Sequence, residues 1–342
     1  MDTRQFHKQL FDAARRLIPH GSTVVCAVSG GTDSMAMLSG LHAVNQMRRC
    51  GWTLHVAHLD HNLPHDSAAM MAFVRRAATA MELPCTTDVV DVVALSRASG
   101  RSVEEVGREV RYAFLYRAAR QIDAAVVAVA HHADDQAETV LHRILRGTGL
   151  RGLAGMPDQR PIEPGSAIQI VRPMLAMRHD DLTAYLQCRG IDFMHDATND
   201  DVLAATRNRI RHELLPRIEQ TMNPNVVAAL VRLAEQADRA GRAIRSLAET
   251  ALNDIRMGSD DREICLDATA FVLLPRALQT EIVVMVVEQL GSGLRSLGNE
   301  RIEAVADAAI GDGRYRQIEL PGGLVAERRG RRLLFRHRSV AL

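Results

Sequence analysis

The chain has 342 residues, of which 47% are hydrophobic and 24% charged, and its 42 basic side chains are balanced by 41 acidic ones. At roughly 100 to 200 residues per domain this length predicts two domains, and the composition excludes a disordered or fibrous protein. The net charge of +1 excludes only a uniformly basic nucleic-acid binder.

No feature of the sequence indicates export or membrane insertion. Residues 1–17 predict an amphipathic helix, and no apolar run approaches the roughly 20 residues of a membrane span. The five cysteines are odd in number and include no CxxC pair, which favours reduced thiols over disulfides or a zinc site. We therefore predict a cytoplasmic protein with no membrane partner, and a homodimer is compatible with these features.

Short β-rich runs alternate with helical stretches over the first 200 residues. The sequence predicts apolar strands at 24–29, 53–59, 85–90 and 124–130, each followed by a helical pattern. Strands that alternate with helices predict an α/β fold with a parallel sheet covered on both faces. Ligands of such sheets bind beyond the carboxyl ends of the strands, so the loops at those ends are the first candidates for a functional site.

A domain boundary is predicted where Pro216 and the Asn-Pro-Asn at 223–225 interrupt this pattern. Residues 226–256 then predict one long amphipathic helix, followed by a small α+β module. The predicted elements of that module are a strand at 263–267, helices at 275–290 and 299–310, and strands at 316–320, 323–327 and 332–336. We therefore predict one domain at 1–218, and a helical linker with a small α+β domain at 219–342.

The first predicted strand is followed by Ser-Gly-Gly-Thr-Asp-Ser, residues 29–34, which leads directly into a helix. Two adjacent glycines let N–H groups converge on an anion, and the helix N-terminus adds partial positive charge. Asp33 would place a carboxylate beside the phosphate groups of a bound ligand. Such a contact is favourable mainly if Mg²⁺ bridges the carboxylate and the phosphates. The alternative is a tight turn in which Asp33 only caps the helix. We predict a phosphate site.

Two further segments place polar residues where ligands would bind. His58 and Asp60 lie at the end of the second predicted strand. The helix predicted at 104–115 places Arg108 and Arg111 on one face, since they are three residues apart. A solvated ion-pair face is the alternative for that helix.

The segment that follows the fourth strand, residues 130–156, combines acids with glycines. Asp134, Asp135 and Glu138 fall within one turn of a predicted helix, and the last two share one side. Such a carboxylate pair can bind a cation, either Mg²⁺ or an ammonium group. The alternative is that the acids only complement the helix dipole. The glycines between 147 and 155 predict a mobile stretch that could fold over a substrate.

A fifth segment, residues 196–216, reads DATNDDVLAATRNRIRHELLP. Together with SGGTDS, HLDHNL at 58–63, VRPML at 171–175 and RHDDLTAYLQCRGIDF at 178–193, it resembles the tRNA(Ile)-lysidine synthases of the PP-loop ATP pyrophosphatase superfamily. The resemblance runs from about residue 20 to 220 and is weak over the last 120 residues. Pro64 stands where that family usually has an arginine.

The resemblance implies an adenine nucleotide alpha hydrolase-like, Rossmann-like domain that uses ATP and Mg²⁺. In the implied reaction, ATP adenylates the C2 oxygen of cytidine 34 in the CAU anticodon of tRNA(Ile). The ε-amine of free L-lysine then displaces AMP. The product, lysidine, pairs with A rather than G, so the codon changes from AUG to AUA and the amino-acid identity from Met to Ile.

The same resemblance implies roles for individual residues. ATP would be bound by Ser29, Gly30, Gly31, Thr32, Asp33, Ser34, His58 and Asp60, with Asp33 on Mg²⁺. The catalytic residues would be Asp33, Arg111, Asp135, Glu138 and Arg207. Of these, Asp135 and Glu138 would hold lysine, whereas Arg111 and Arg207 would face the phosphates or the charge that develops at C2. The residues implied in tRNA binding are Arg207, Arg209 and Arg211.

Three other functions are the alternatives to this reaction. A tRNA 2-thiolation enzyme typically needs catalytic cysteines, often as CxxC, and this sequence has no such pair. Amidotransferase-coupled synthetases lack a block like RNRIRHELLP and bring a glutaminase domain. A non-catalytic RNA-binding protein predicts a degenerate loop, whereas both glycines and Asp33 are present.

The balanced total charge conceals three segregated regions. Residues 82–139 carry six arginines against ten acids, whereas residues 206–245 carry eight arginines against four acids and residues 311–338 eight against three. Binding of a phosphate backbone depends on such local basic patches. The sequence therefore predicts a tRNA surface in the second half of the chain, with solvated helix faces as the alternative.

Overall fold

The computed structural model describes residues 2–62, 67–194, 206–259, 263–291, 297–310 and 317–338. The chain forms two compact units. The first consists of Met1–Thr148 and Gly152–Ala234, and the second of Gly149–Arg151 and Glu235–Leu342. The functional domain limits expected from the sequence, 1–218 and 219–342, stay a prediction.

A six-stranded sheet in the order β3-β2-β1-β4-β6-β5 forms the centre of the first unit. Its strands are β1 Thr23–Ala27, β2 Thr53–Asp60, β3 Cys85–Val89, β4 Val126–Ala128, β5 Gln159–Pro161 and β6 Gln169–Val171. All neighbours are parallel except β5 and β6, which pair antiparallel at one edge. The α/β class and its parallel sheet are confirmed. The sequence reading missed β5 and β6, because three residues are too few to display a period.

Helices cover both faces of this sheet. The helices between residues 3 and 221 are α1 Thr3–Leu17, α2 Thr32–Arg48, α3 Ser67–Ala80, α4 Val92–Ser99, α5 Val103–Gln121, α6 Ala133–Leu145, α7 Leu150–Leu153, α8 His179–Arg189, α9 Thr206–Arg209 and α10 Leu215–Thr221. A π-helical segment, Ile210–Leu214, joins α9 to α10. Alternate residues of β1 belong to two hydrophobic cores, one on each face of the sheet. Val24 and Cys26 pack with α1, α2 and α8, whereas Val25 packs with α5. Burial on both faces explains why the strands read as continuous apolar runs.

The second unit contains an antiparallel sheet in the order β7-β8-β11-β10-β9. The strands are β7 Arg256–Ser259, β8 Glu263–Asp267, β9 Gln317–Glu319, β10 Leu324–Arg329 and β11 Arg332–His337, and the helices are α11 Val226–Ile255, which begins in the first unit, α12 Ala268–Leu273, α13 Arg276–Gln289 and α14 Asn299–Ile310. The predicted long helix and α+β module are confirmed. Strand β7 was missed, because its residues follow the helical pattern without a break. Within the described ranges, no helix combines the length and apolarity that crossing a membrane requires.

Candidate active site

The phosphate loop, residues 29–34, connects β1 to α2, and Ser34 fixes its shape. The Ser34 hydroxyl accepts hydrogen bonds from the N–H groups of Ser29 (3.2 Å) and Gly30 (3.1 Å) and donates one to the Gly31 carbonyl (3.0 Å). Ser34 is 5% exposed, so this hydroxyl serves the loop rather than the solvent. Hydrogen bonds within the loop therefore hold its shape.

The free N–H groups of this site come from the first turn of α2. The first intrahelical bond is donated by the N–H of Met35 to the carbonyl of Gly31. The N–H groups of Thr32, Asp33 and Ser34 precede that bond, as at the start of any α-helix. Together with the positive end of the helix dipole they form an anion-binding site, as the sequence predicts.

Gly30 is required by the loop geometry, and we expect Gly30→Ala to lower the free energy of unfolding by about 2–3 kcal/mol. Its φ of +98° is unfavourable for any side chain, and an added Cβ would lie 2.5 Å from Met70 Sδ and 3.3 Å from Val74 Cγ2. Gly31→Ala is the matched control, since its Cβ would meet nothing closer than Ser29 Oγ at 3.7 Å. Urea unfolding followed by circular dichroism measures the difference, and equal losses in the two variants would contradict the expectation.

Two imidazoles hold the carboxylate of Asp33. His179 Nδ1 lies 2.8 Å from Asp33 Oδ1, and His132 Nε2 lies 3.4 Å from Asp33 Oδ2. Burial favours the protonated acid, but hydrogen bonds from His132 and His179 outweigh it and keep the pKa of Asp33 well below its ordinary value. Burial also opposes a charge on His132, yet the carboxylates of Asp134, Asp33 and Asp135 raise its pKa to about 10. The loop thus carries an ionised carboxylate beside an imidazolium.

Asp33, His132 and His179 each offer one ligand atom, and these atoms lie within 4.8 Å of one another. Mg²⁺ prefers oxygen ligands and is usually bound by one or two carboxylates together with substrate phosphates. Asp33 meets that requirement on the phosphate loop. The two imidazoles are poor ligands for Mg²⁺ and fit better as groups that orient the Asp33 carboxylate.

A cavity of about 280 Å³ opens in the first unit and brings acids and bases together. Its charged lining consists of Glu104, Arg108, Arg111, Asp135, Glu138, Arg207 and Arg211, and His61, His131 and Met156 also contribute. Burial lowers the pKa of His131 to about 4, so this imidazole is neutral at physiological pH. A cavity with both signs of charge suits a ligand that carries an ammonium group next to an anionic one.

Asp135 and Glu138 lie side by side on α6 and share one cation. Arg211 Nε donates to Glu138 Oε1 (2.5 Å), and its Nη2 donates to Glu138 Oε2 (3.1 Å) and to Asp135 Oδ1 (2.8 Å). Asp135 Oδ2 also lies 3.4 Å from His132 Nε2. Burial raises the pKa of Glu138, although Arg211 opposes that shift. A chain of contacts therefore runs from Asp33 through His132, Asp135 and Arg211 to Glu138.

The other predicted cations divide between the cavity and the surface. Arg111 Nη2 lies 3.3 Å from His61 Nε2, and Arg207 Nη2 donates to Thr139 Oγ1 (2.9 Å). Both arginines line the cavity. Arg209 does not: its exposed guanidinium lies near the Glu213 carboxylate, at 3.6 Å.

His58 and Asp60 are buried at the end of β2 and are not among the residues that line the cavity. His58 Nδ1 lies 2.8 Å from the carbonyl of Val28, and burial lowers its pKa. Its buried Nε2 has no hydrogen-bond partner within the described part of the chain. The carboxylate of Asp60 accepts a hydrogen bond from the N–H of Asn62 (2.7 Å). Pro64 and the Asp/Thr/Asn loop from 196 to 205 lie outside the described residues.

Two side chains of α6, Gln136 and Arg143, hold the glycine-containing residues that follow this helix. Neither residue was predicted to have this role. The Gln136 amide accepts a hydrogen bond from the N–H of Met156 (2.7 Å) and donates one to its carbonyl (3.0 Å). Arg143 Nη1 donates to the carbonyls of Gly152 (3.0 Å) and Gly155 (2.7 Å). These bonds position Met156 in the cavity wall. His132 and His179 were also missed, and the only signal for His132 was its place directly after the fourth strand.

Comparison with known proteins places the chain among nucleotide-dependent enzymes. A family model described as a PP-loop domain matches residues 2–218. The tRNA(Ile)-lysidine synthase of Geobacter sulfurreducens is 33% identical, over 96% of this chain and 68% of that protein. The enzyme of the same name from Geobacillus kaustophilus is also 33% identical, over 94% of this chain and 68% of the relative.

One shorter match and one solved structure are also similar to this chain. The tRNA(Ile)-lysidine synthase of Thermotoga sp. is 38% identical over 64% of this chain, which spans half the length of that relative. Among solved structures, the U34-tRNA thiolase of Methanococcus maripaludis is similar, with a TM-score of 0.56 and 14% identity over 68% of this chain and 79% of that one. At that identity the likeness concerns the fold alone.

Proposed function

The chain belongs to the PP-loop domain family and, within it, to the tRNA(Ile)-lysidine synthases, and on that basis we propose that it joins lysine to cytidine 34 of tRNA(Ile). ATP adenylates the C2 oxygen of that cytidine in the CAU anticodon and releases pyrophosphate. The ε-amine of free L-lysine then displaces AMP. The modified base changes the codon read from AUG to AUA and the amino-acid identity from Met to Ile.

The observation that carries this proposal is the continuous contact between the phosphate loop and the carboxylates of the cavity. The imidazole of His132 connects Asp33 on the loop with Asp135. Its Nε2 lies 3.4 Å from Asp33 Oδ2 and 3.4 Å from Asp135 Oδ2. An ATP bound on the loop and an amine bound to Asp135 and Glu138 are therefore neighbours. A reaction that transfers an adenylyl group to the C2 oxygen and then adds an amine at C2 needs this proximity.

The adenylation half of the reaction depends on charge stabilisation. A urea-like C2 carbonyl is a poor electrophile without a leaving group, and adenylation turns its oxygen into one. The N–H groups at the start of α2, with Arg111 and Arg207 in the cavity wall, stabilise negative charge on the phosphates and on the departing pyrophosphate. Asp33 would hold Mg²⁺, which neutralises phosphate charge when it is bound.

The second half of the reaction depends on the carboxylate pair. The ε-amine of lysine has a reference pKa near 10.4, so it must lose a proton before it attacks C2. Asp135 and Glu138 bind the charged amino groups, and Glu138 is the proposed proton acceptor because burial raises its pKa. Buried carboxylates in such surroundings are frequent general bases.

A thiolation reaction typically needs catalytic cysteines, often as a CxxC pair, and the sequence has no such pair. Cys26 and Cys50 are buried, and burial raises the pKa of Cys26 to about 12. Among the residues that the structure describes, the cavity lining includes no cysteine. The cation-rich segments 206–245 and 311–338 and Arg209 remain the proposed tRNA surface. A homodimer and a cytoplasmic location stay predictions.

The proposal is tested with purified protein, labelled lysine, ATP and a tRNA(Ile) transcript with a CAU anticodon. We expect label in the RNA and release of AMP that depends on the RNA. A transcript in which uridine replaces cytidine 34 is the control, and it should accept no lysine. Absence of both label and RNA-dependent AMP release would exclude lysidine formation.

A further inference from the structure

We propose that Arg211 is an internal cation that occupies the place of the substrate's ammonium group and leaves it when lysine binds. This inference rests on the proposed function, since it assigns Asp135 and Glu138 to lysine. Arg211 thereby sets the lysine concentration that the enzyme requires. It is a positioning residue: it acts on lysine through the two carboxylates.

The contacts of Arg211 are those that a bound ammonium group would make. Its guanidinium donates three hydrogen bonds, at 2.5 to 3.1 Å, to both oxygens of Glu138 and to Asp135. In the described part of the chain, Arg211 is the one cation within ion-pair distance of Glu138. A lysine ammonium group that bound between both carboxylates would lie in the space that this guanidinium fills, so the two cations would repel each other at close range.

Burial explains why a cation is needed there before lysine arrives. The side chain of Glu138 is 3% exposed, and a buried carboxylate without a partner is strongly destabilising. Arg211 itself is 39% exposed, so its guanidinium enters from the solvent side. It can therefore swing out by rotation of its own side chain, and lysine then supplies the positive charge that Glu138 loses.

The backbone around Arg211 fits a side chain that moves on a fixed base. Arg211 lies in the π-helical segment Ile210–Leu214, and single π-helical turns inside helices occur often at functional sites. Ile210 is 2% exposed and packs with Ala133 and Ala137 of α6. This packing holds the segment against the helix that carries Asp135 and Glu138, so exchange of the cation requires no unfolding.

The consequence is a measurable cost to lysine binding. An enzyme whose binding-competent form is only a fraction of the population shows an apparent affinity reduced by that fraction. We expect Arg211→Ala to lower the half-saturating lysine concentration about tenfold at saturating ATP and tRNA. Arg211→Lys keeps a tethered ammonium group without the paired donors, and its lysine requirement should lie between those of the wild type and Arg211→Ala.

The experiment measures initial rates of lysine incorporation against lysine concentration for both variants and for Arg4→Ala, an exposed arginine of α1, as the control. Guanidinium chloride is added in a second series, with sodium chloride at equal ionic strength as its reference. Guanidinium should compete with lysine in Arg211→Ala, whose vacated position it fits, and not in the wild type. An unchanged or raised lysine requirement in Arg211→Ala, or no competition by guanidinium there, would overturn the inference.

The experiment distinguishes failure of the proposed function from failure of the proposed role of Arg211. If the wild-type protein incorporates no lysine into the transcript, the proposed function itself is wrong. If the wild type and Arg4→Ala incorporate lysine normally and the Arg211 variants show the same lysine requirement, only the role of Arg211 is wrong. RNA-dependent release of pyrophosphate without lysine shows whether an Arg211 variant is folded and able to bind tRNA.

Discussion

Asp33→Ala removes RNA-dependent AMP release, with an expected loss of about a thousandfold. The substitution takes away the one carboxylate on the phosphate loop, which would hold Mg²⁺ against the phosphates of ATP. It also leaves the imidazoles of His132 and His179 without the acid that they contact at 3.4 and 2.8 Å. His132 keeps its contacts with Asp134 and Asp135, at 3.3 and 3.4 Å, so its charge does not replace a metal ion at the phosphates.

Two variants separate this chemical effect from a loss of folding. Asp33→Asn keeps the size of the side chain and its contact with His179 but removes the charge, so its activity should fall nearly as far. Asp12→Ala, on the exposed face of α1 where it pairs with Lys8, removes an acid that no part of the mechanism uses. Circular dichroism verifies the fold of all three. AMP release within tenfold of wild type in Asp33→Asn would contradict a charge requirement at this position.

The parts of the fold that sequence could predict are those with a repeated apolar pattern. Strand β1 reads as an apolar run because it is covered on both faces, β2 reads as a mostly apolar run interrupted by two histidines, and α11 displays its period over thirty residues. Strands β5 and β6 have three residues each and no period to detect. Strand β7 begins at the residue after α11 ends, so no turn residue separates the two patterns.

The site divides in the same way between motif and tertiary contact. The glycine loop and the pair on α6 follow from local rules, because a helix start and an i, i+3 spacing bring those groups together within one segment. The position of Arg211 on Asp135 and Glu138 joins residues more than seventy positions apart. The contact of His179 with Asp33 spans 146 positions. No local pattern encodes such contacts, and Arg211 therefore reads from the sequence as one of three similar arginines.

Asp135→Ala should raise the half-saturating lysine concentration about 10- to 100-fold while adenylation of the tRNA is largely retained. A hydrogen bond to a charged group contributes about 1.5–3 kcal/mol, and this substitution removes one such bond from the bound amine. Glu138 keeps its bonds to Arg211, so the cavity still holds a cation and a carboxylate when Asp135 is absent. The measurements are lysine incorporation against lysine concentration and, separately, RNA-dependent release of pyrophosphate without lysine.

Asp33 and Asp135 both contact His132, but Asp33 would hold Mg²⁺ whereas Asp135 would hold the amine of lysine. Loss of Asp33 affects the first half of the reaction, which needs no lysine, whereas loss of Asp135 affects the half that follows. Asp135→Asn, which keeps one oxygen acceptor, should require less lysine than Asp135→Ala. If both Asp33→Ala and Asp135→Ala abolished adenylation equally, then His132 would couple the two acids into one unit. Asp135 would in that case belong to the phosphate site, and Glu138 alone would remain to bind the amine.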